Sequence, residues 1–373
     1  MPIGIRAGRH LSASLIAAAF LGFLLVVFLI IKSGAADVAH AMLAIGWWLL
    51  PITAFHVIPL SFSALSWREL LPASSRPGTV TIVWIRWIRE SINSLLLSVG
   101  GDFVSIRLAN LRGVPGAQAA ASLVMDTTVG AATQLIFVLA GVALLLLRST
   151  EPAVLAVAGS VLVATAVLCA GIAGFIVCQR RGLFAGSAKL AYRLLPPRWR
   201  LAFATGASAI DDALLVAYRD RRFIYRAGVL RLIGWAAGAG EVWLAAHALG
   251  QPLDMVEAFI LESLASAVRA AAFMVPGALG ALEGSFVVFG ALFGLPADAA
   301  LAIALSKRVR ELALGLPGLF VWHWLETHHL LRRTRRDAAE HTSSADIAMA
   351  ASSGGSDRSA GVRSGVIEIT GGR

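Results

Sequence analysis

The chain has 373 residues, 58% of them hydrophobic and 14% charged, with a mean hydropathy of +0.77. Soluble domains carry about 25% charged residues, so this composition excludes an ordinary soluble protein and indicates a membrane protein. The formal net charge is +10, but many basic residues lie between two apolar segments or directly after the last one, which is typical of cytoplasmic membrane flanks and argues against a nucleic-acid partner.

Eight apolar segments follow one another along the chain, and about 20 apolar residues are enough to cross a bilayer. Six are uninterrupted, at 11–31, 42–66, 117–147, 152–178, 228–249 and 255–275. Two more, at 278–294 and 297–325, are interrupted by glycine, proline or charge. The first is too long for the apolar core of a typical signal peptide, so we interpret it as an uncleaved span. The sequence therefore predicts an all-α polytopic membrane protein with about eight transmembrane helices plus one or two re-entrant or broken helices.

The distribution of Lys and Arg predicts how these helices are oriented. A dense basic stretch lies in the connection 179–227, and four more arginines lie within 332–336. Cytoplasmic flanks are enriched in basic residues, so we place this connection and both termini in the cytoplasm. Apolar and charged residues alternate at helical spacing within the connection, which favours amphipathic helices on the inner membrane surface. We treat 1–330 as one transmembrane domain and expect the Ser- and Gly-rich tail at 331–373 to be disordered.

Segment 82–102 carries the first polar constellation. Four residues at i, i+3, i+4 and i+7 share one helix face: Arg86, Arg89, Glu90 and Asn93. The segment ends at Gly100-Gly101-Asp102, is short for a span, and has basic residues on both sides, including Arg107. This pattern favours a re-entrant or interfacial helix, and the alternative is a surface helix whose Arg/Glu face is solvated.

A single acid, Asp126, lies one third of the way into the apolar segment 117–147. A carboxylate at this depth requires a cationic partner, for which we expect an arginine from 86–107. The alternative to a functional pair is a buried ion pair that only fixes the register of two helices.

The next two predicted spans also carry acids. Glu241 shares a face with Gly234 and Gly238, whose small size permits close helix approach. Glu262 shares a face with Arg269, so that segment carries both signs of charge within itself.

The stretch 274–284 is unsuited to a continuous helix. Pro276 removes a backbone donor, and Gly277 and Gly280 loosen the chain just before Glu283. Broken backbone at membrane depth occurs where it lines a cavity, and it leaves helix ends able to bind ionic groups.

The last apolar segment has a charge cluster at its centre, formed by Lys307, Arg308, Arg310 and Glu311. Each charge at the centre of a membrane helix costs about 2.5–3.5 kcal/mol. Such a cluster is tolerable only if it faces other charges, a water-filled cavity or a polar ligand. We expect Glu283 to pair with Arg308 or Arg310, in either a structural or a substrate-lining role.

No enzyme pattern is present in the sequence. It has no Walker A motif, no dinucleotide-binding glycine pattern, and no HExxH or zinc-like Cys/His set. Cys169 and Cys178 match no disulfide or metal spacing. We therefore predict a protein that is not an enzyme and that needs no cofactor or metal. The two short, glycine-interrupted, charged segments at 82–102 and 276–294 are instead typical of transporters built from inverted repeats.

These motifs resemble those of one membrane-protein family. The residues that carry the resemblance are Arg86-Trp-Ile-Arg89-Glu90-Ser-Ile-Asn93, Gly100-Gly101-Asp102, Arg107-Leu108, Ala121-Ser-Leu-Val-Met-Asp126, Pro276-Gly277-Ala-Leu-Gly280-Ala-Leu-Glu283-Gly284 and Lys307-Arg308-Val-Arg310-Glu311-Leu312. From about 45 to 325 the chain resembles the flippase-like transmembrane region of lysylphosphatidylglycerol synthases, and within it the hopanoid-biosynthesis-associated branch. One departure is Ala278, where the family usually has a second glycine, and its methyl group should stiffen the turn slightly.

The resemblance implies a multi-pass protein of the bacterial inner membrane that moves lipids. Hopanoids or anionic phospholipids are the expected lipid partners, hopanoid-biosynthesis proteins are further candidates, and the oligomeric state stays open. Polar head groups would enter a charged cavity, and movement would be downhill or coupled to an ion through Glu241, Glu262 or Glu283. The expected lining is Arg86, Arg89, Glu90, Asn93, Asp102, Arg107, Asp126, Glu241, Glu262, Arg269, Pro276, Gly277, Gly280, Glu283, Lys307, Arg308, Arg310 and Glu311.

Two functions other than transport are aminoacyl transfer of the synthase type and scaffolding. We expect no aminoacyl-transfer domain of the synthase type, because fewer than 50 residues follow the last predicted span. The alternative function is that of a non-transporting scaffold that recruits lipid-biosynthesis enzymes through the basic connection at 179–227.

Overall fold

A computed structural model of the chain describes residues 24–25, 27–95, 100–149, 151–191, 197–272, 275 and 278–325. Most of the predicted first span, the break at Pro276 and Gly277 and the predicted disordered tail lie outside the described residues. The chain divides into two compact units, 1–319 and 320–373, and the architecture below is that of the first unit.

Every regular element among the described residues is helical, which confirms the all-α fold class. The first half of the chain forms α1 (27–32), α2 (Ala35–Ile45), α3 (Leu49–Phe55), α4 (Val57–Leu70), α5 (Thr79–Leu95), α6 (Gly100–Leu111) and α7 (Gly116–Arg148). The second half forms α8 (Pro152–Arg180), α9 (Leu183–Ala191), α10 (Pro197–Arg219), α11 (Arg221–Ala248), α12 (Met255–Ala271), α13 (Ala281–Gly290) and α14 (297–325).

Four helical stretches in the described part of the chain are long and apolar enough to cross a membrane, and the protein is therefore a multi-pass membrane protein. They are Ala35–Leu70, which joins α2, α3 and α4, and then Gly116–Arg148, Val154–Arg180 and Arg221–Ala248. They coincide with four of the eight predicted spans. The other predicted spans among the described residues are too short or too charged to count with these four. Helix α12 has 17 residues, α13 belongs to the short apolar stretch Ala281–Phe293, and α14 carries the charge cluster.

The helices differ in how much of their surface the rest of the protein covers. On α8, large apolar side chains such as Val163, Val167 and Phe175 are exposed. A water-soluble protein rarely exposes so continuous an apolar surface, whereas lipid solvates it well. The core lies on the other side, where Leu261 of α12 and Ile303 of α14 are fully buried in one apolar cluster. The protein therefore has a lipid-facing periphery and a packed centre.

Two pairs of short helices approach this centre. Helices α5 and α6, of 17 and 12 residues, are about 25 and 18 Å long, which is less than the roughly 30 Å of the hydrocarbon core. Their junction is tight, because the Gly101 N–H donates to Asn93 Oδ1 at 2.8 Å and a Cβ at Gly101 would overlap the Arg89 carbonyl. Helices α12 and α13 form the second pair.

The turn before α13 adopts left-handed backbone at two positions. Gly280 has φ 77°, which a glycine tolerates, and Ala278 has φ 49°. Ala278 is the one non-glycine among the described residues with a positive φ, and its Cβ makes that conformation cost about 1–2 kcal/mol. The departure from the family motif therefore falls on a position where the backbone favours glycine.

The basic connection forms two helices, α9 and α10, as its spacing predicts. The Asp211 carboxylate on α10 holds the first turn of α9 by accepting hydrogen bonds from the Phe184 and Ala185 amides at 3.2 and 2.7 Å. Leu214 on the same helix is fully buried, while its neighbour Val216 is exposed. The helix is thus amphipathic, with one face packed on the protein.

Candidate functional site

Asp126 of α7 is the centre of an arginine cluster and is itself fully buried. Its Oδ2 accepts hydrogen bonds from Arg86 Nη1 and Arg89 Nη1, each at 2.8 Å, and Arg231 Nη1 of α11 lies 3.5 Å from its Oδ1. The prediction that Asp126 pairs with an arginine from 86–107 is confirmed. Three guanidinium groups on one carboxylate leave an excess of positive charge, which a single helix-fixing ion pair does not require.

Asp102 of α6 partly compensates this excess of positive charge. Arg89 Nε donates to Asp102 Oδ1 at 2.6 Å, and Asn93 Nδ2 lies 3.4 Å from the same oxygen. Arg89 is thereby held between two carboxylates, Asp102 and Asp126. Arg107 lies further along α6 and is exposed.

The four charged residues at the centre of α14 each form an ion pair with an opposite charge on another helix. Their partners, in the order Lys307, Arg308, Arg310 and Glu311, are Glu262 of α12, Glu283 of α13, Glu241 of α11 and Arg269 of α12. The Arg308–Glu283 contact is 2.7 Å and the Arg269–Glu311 contact is 3.3 Å, and Arg308 also donates to Glu311 at 2.9 Å. Of the two predicted partners of Glu283, Arg308 is confirmed, and Arg310 pairs with Glu241 instead. The charges on α14 face other charges, as their cost in a membrane requires.

Glu283 also organises the broken backbone before α13. Its Oε2 accepts a hydrogen bond from the Gly280 N–H at 2.8 Å, so the carboxylate caps the helix that it belongs to while it binds Arg308. Glu283 is fully buried in this position. This arrangement gives Glu283 a structural function.

His56, between α3 and α4, links the two charged regions. Its Nδ1 lies 2.6 Å from Glu241 Oε1 and 3.0 Å from Arg310 Nη1, and its Nε2 lies 3.5 Å from Glu90 Oε1. Sequence analysis missed His56 because a single histidine in an apolar run resembles an ordinary core residue. The signal that could have found it is an ionisable side chain within a spanning segment.

Arg231 was missed as well, although its helix face was recognised. Residues 231, 234, 238 and 241 follow one another at steps of three, four and three, so Arg231 continues the predicted stripe of Gly234, Gly238 and Glu241 by one turn. Gly130 of α7 leaves room for the Arg231 guanidinium, because a Cβ there would lie 2.8 Å from Arg231 Nη2.

A cavity of about 320 Å³ lies between the arginine cluster and the charges of α14. A water molecule takes up about 30 Å³ in the liquid, so the cavity has room for about ten waters or a small head group. Five positive and four negative side chains line it: Arg86, Glu90, Arg231, Glu241, Glu262, Arg269, Lys307, Arg310 and Glu311. They come from α5, α11, α12 and α14, and His56, Trp87, Gln134 and Trp235 add further polar groups.

The structure divides the predicted lining residues into separate groups. Eight line the cavity: Arg86, Glu90, Glu241, Glu262, Arg269, Lys307, Arg310 and Glu311. Six form the supporting contacts behind it: Arg89, Asn93, Asp102, Asp126, Glu283 and Arg308. Gly280 serves as the cap of α13, and Pro276 and Gly277 lie outside the described residues.

Two polar atoms at the cavity have hydrogens to donate and no acceptor within the described ranges. They are Arg310 Nε and Trp235 Nε1, both buried. Trp235 is held in place by stacking on Phe137, with ring centroids 5.9 Å apart. Buried donors are normally hydrogen-bonded, so these two atoms suit water or the oxygen atoms of a ligand. The part of the chain that the structure describes contains no group of His, Cys, Asp and Glu arranged to hold a metal.

The family model of the lysylphosphatidylglycerol synthase TM region covers residues 14–318. No curated protein and no solved structure matches the chain.

Proposed function

The chain belongs to the family of the lysylphosphatidylglycerol synthase TM region, and on this premise we propose that it transports lipids, hopanoids first among them, across the bacterial inner membrane. The polar head group passes through the charged cavity while the apolar part of the lipid stays in the bilayer. The protein acts by transport rather than by chemical conversion. The proposal depends mainly on the cavity, which is lined by nine ionised side chains inside a helical membrane protein.

Charge pairing by itself does not explain such a cavity. Each ionised group in the hydrocarbon region costs about 2.5–3.5 kcal/mol, and the cost is smallest when opposite charges are in direct contact with no space between them. Arg308 and Glu283 behave in this way and lie behind the lining. The pairs Lys307–Glu262, Arg310–Glu241 and Arg269–Glu311 are also in direct contact, yet they border a space that has room for water. Such a space is what a passage for a polar group needs.

The composition of the lining suits a lipid head group. Its formal charge is +1 with His56 neutral, and Arg310 Nε and Trp235 Nε1 supply two donors that no residue within the described ranges occupies. Phosphate and hydroxyl oxygens accept hydrogen bonds from such donors. A hydroxylated hopanoid or an anionic phospholipid meets this requirement, and a purely apolar lipid does not.

The proposed topology has about eight membrane crossings with both termini in the cytoplasm. The basic helices α9 and α10 then lie at the inner surface, in agreement with the positive-inside rule. The pair α5 and α6 enters part of the way from the cytoplasmic side, and α12 and α13 form a second broken pair that brings Glu262 to the same cavity.

The decisive experiment narrows the cavity without changing a charge. Gly238 lines the cavity, and a Cβ there would meet its nearest atom, Glu262 Oε1, at an ordinary 3.8 Å. A Gly238→Leu side chain takes up roughly 100–150 Å³, about a third to a half of the space. Full-length protein in phosphatidylcholine–phosphatidylglycerol vesicles should speed the transfer of NBD-labelled phosphatidylglycerol between leaflets, measured by dithionite quenching, and Gly238→Leu should slow it about tenfold, equivalent to about 1.4 kcal/mol.

The matched control is Gly171→Leu on α8, where a Cβ meets nothing within 4 Å. It adds the same side chain at a position away from the cavity lining and should leave transfer unchanged. If wild-type vesicles transfer lipid no faster than protein-free vesicles, or if Gly238→Leu transfers as fast as Gly171→Leu, lipid passage through the cavity is wrong.

A deletion strain of a hopanoid-producing bacterium separates transport from scaffolding. Transport requires that the total amount of hopanoid stays normal while its distribution between the two membranes changes. A scaffold that recruits enzymes through 179–227 would instead change the amount or composition of the hopanoids, and charge reversal in that connection would reproduce the deletion.

A further inference from the structure

Among the described residues that line the cavity, His56 supplies the one imidazole. An unperturbed imidazole changes its charge between pH 5 and 8, whereas arginine, lysine and carboxylates in ion pairs keep theirs. The helices packed around His56 present three charged groups to it, Glu90 from α5, Glu241 from α11 and Arg310 from α14. The other cavity charges are Arg86, Arg231, Glu262, Arg269, Lys307 and Glu311.

The contacts of Nδ1 depend on whether it carries a proton. At 2.6 Å from Glu241 Oε1, Nδ1 has to donate a hydrogen, because a bare nitrogen and a carboxylate oxygen repel each other at that distance. Arg310 Nη1, at 3.0 Å, is itself a donor and can bond only to a bare Nδ1. Both partners are within reach and they require opposite protonation states. The neutral ring can satisfy either partner: with its hydrogen on Nε2 it accepts from Arg310 at Nδ1, and with its hydrogen on Nδ1 it donates to Glu241 and leaves Nε2 bare toward Glu90. A proton gained at Nε2 by the second form gives the ring a second donor, directed at Glu90.

The acids around His56 provide an approach for the proton. The exposed fraction of the side chain falls from 45% at Glu90 to 14% at His56 and 2% at Glu241. Glu90 is thus the most accessible of the three side chains, and Glu241 is sealed behind the imidazole. The acids favoured by sequence analysis as proton carriers are less suitable, since Glu241, Glu262 and Glu283 each contact a permanent cation.

We propose that His56 is a proton-binding site that couples movement of an anionic lipid head group to movement of a proton in the same direction. This inference rests on the proposed transport function. A proton from cavity water binds the bare Nε2 of the neutral imidazole, and the imidazolium then donates Nδ1–H to Glu241 and Nε2–H to Glu90. The formal charge of the cavity with His56 included rises from +1 to +2, which strengthens its attraction for a monoanionic head group. When the cavity opens to the other side, Nε2 returns its proton to water, Nδ1–H stays on Glu241, and the head group is released.

The test measures lipid transfer as a function of pH in the vesicles described above. Transfer of NBD-labelled phosphatidylglycerol by the wild type should rise several-fold as the pH falls from about 8 to about 5.5, and an inward proton gradient should make it directional. His56→Gln keeps a side chain that hydrogen-bonds but does not titrate, and its transfer should be slow and independent of pH. Glu90→Gln removes the anion that favours the imidazolium, so the midpoint should move to lower pH by about one unit.

The matched control is His247→Gln. His247 also lies on a spanning helix, α11, but it stacks on Trp243 with ring centroids 5.3 Å apart and is not among the cavity residues. This variant should keep the wild-type pH profile. Melting temperatures of all variants show whether a loss of transfer reflects misfolding, and Glu90→Gln tests the inference through a shift of the midpoint even if His56→Gln is unstable.

The outcomes separate the two proposals. If the wild type transfers lipid at a rate that ignores pH and proton gradients, or if His56→Gln keeps the wild-type profile, proton coupling at His56 is wrong and the transport function stands. If the wild type transfers no lipid at any pH, the transport function fails and this inference fails with it.

Discussion

Asp126→Asn should be among the most destabilising single-atom changes in the protein. The substitution keeps the size of the side chain but leaves Arg86, Arg89 and Arg231 facing one another, with Asp102 as the remaining carboxylate of the cluster. Removing one partner from a buried ion pair costs about 3–5 kcal/mol, because the other charge stays buried without compensation. At about 2 °C per kcal/mol for a long chain, the melting temperature should fall by about 6–10 °C.

The assay is thermal unfolding in detergent followed by tryptophan fluorescence. The chain has ten tryptophans to report the transition. A thiol-reactive dye would be unsuitable, since Cys169 and Cys178 are already exposed in the folded protein. Asp212→Asn on α10 is the matched control, because Asp212 is exposed, and it should melt within about 1 °C of the wild type.

A double substitution shows whether the loss is electrostatic. Arg86→Met removes one of the two guanidinium groups that lie 2.8 Å from Asp126 Oδ2. In the Asp126→Asn background, Arg86→Met should lower the free energy of unfolding by at least 1 kcal/mol less than it does in the wild type, because the substitution then removes an uncompensated charge. If Asp126→Asn melts at the same temperature as the wild type, the carboxylate does not hold the arginine cluster together. The same conclusion follows if the destabilisation of the double variant equals the sum of the two single ones.

Three further substitutions test the packing around the site. Gly141→Ala on α7 should lower the melting temperature by about 4–6 °C, since the new Cβ would overlap the Ser263 hydroxyl of α12 and lie 2.7 Å from its Cβ, and overpacking costs about 2–3 kcal/mol. Asp254→Ala should lower it by about 2–4 °C, because Asp254 caps α12 and binds Arg148 at 2.7 Å at the end of α7, and loss of a cap costs about 1 kcal/mol or more. Ala278→Gly should raise it by about 1–2 °C, because glycine relieves left-handed strain at a small entropic cost.

A second substitution or an opposite result checks the predictions for Gly141→Ala and Ala278→Gly. Ser263→Gly should rescue most of the loss in Gly141→Ala, whereas Gly159→Ala on α8, where a Cβ meets nothing within 4 Å, should be neutral or slightly stabilising. Absence of rescue would show that α7 and α12 do not approach closely at this point. A lower melting temperature for Ala278→Gly would show that the turn before α13 is not strained.

Some parts of the site could be predicted because they depend on neighbouring residues along one helix. The face shared by Arg86, Arg89 and Glu90 follows from helical periodicity alone, and so does the need of Asp126 for a cation. The Arg308–Glu283 pair was also within reach, because few acids lie near the break at 276–284.

Other parts could not be predicted, because they depend on which helix faces which. Arg310 binds Glu241, 69 positions away, and His56 binds the same acid across 185 positions. The apolar segment 255–275 was also expected to be one span, whereas α12 ends at Ala271 after 17 residues. Hydropathy counts apolar residues and does not detect where the backbone stops being helical.

The sequence by itself determined that this chain is a helical membrane protein with ionised side chains at membrane depth, since hydrophobicity and the 3.6-residue period are properties of each segment separately. Only the tertiary structure decided that these charges gather from α5, α11, α12 and α14 around one cavity, and that His56 stands between Glu90 and Glu241. The physical reason is that a buried charge selects partners by distance in space, and spatial neighbours among helices are set by packing rather than by chain order.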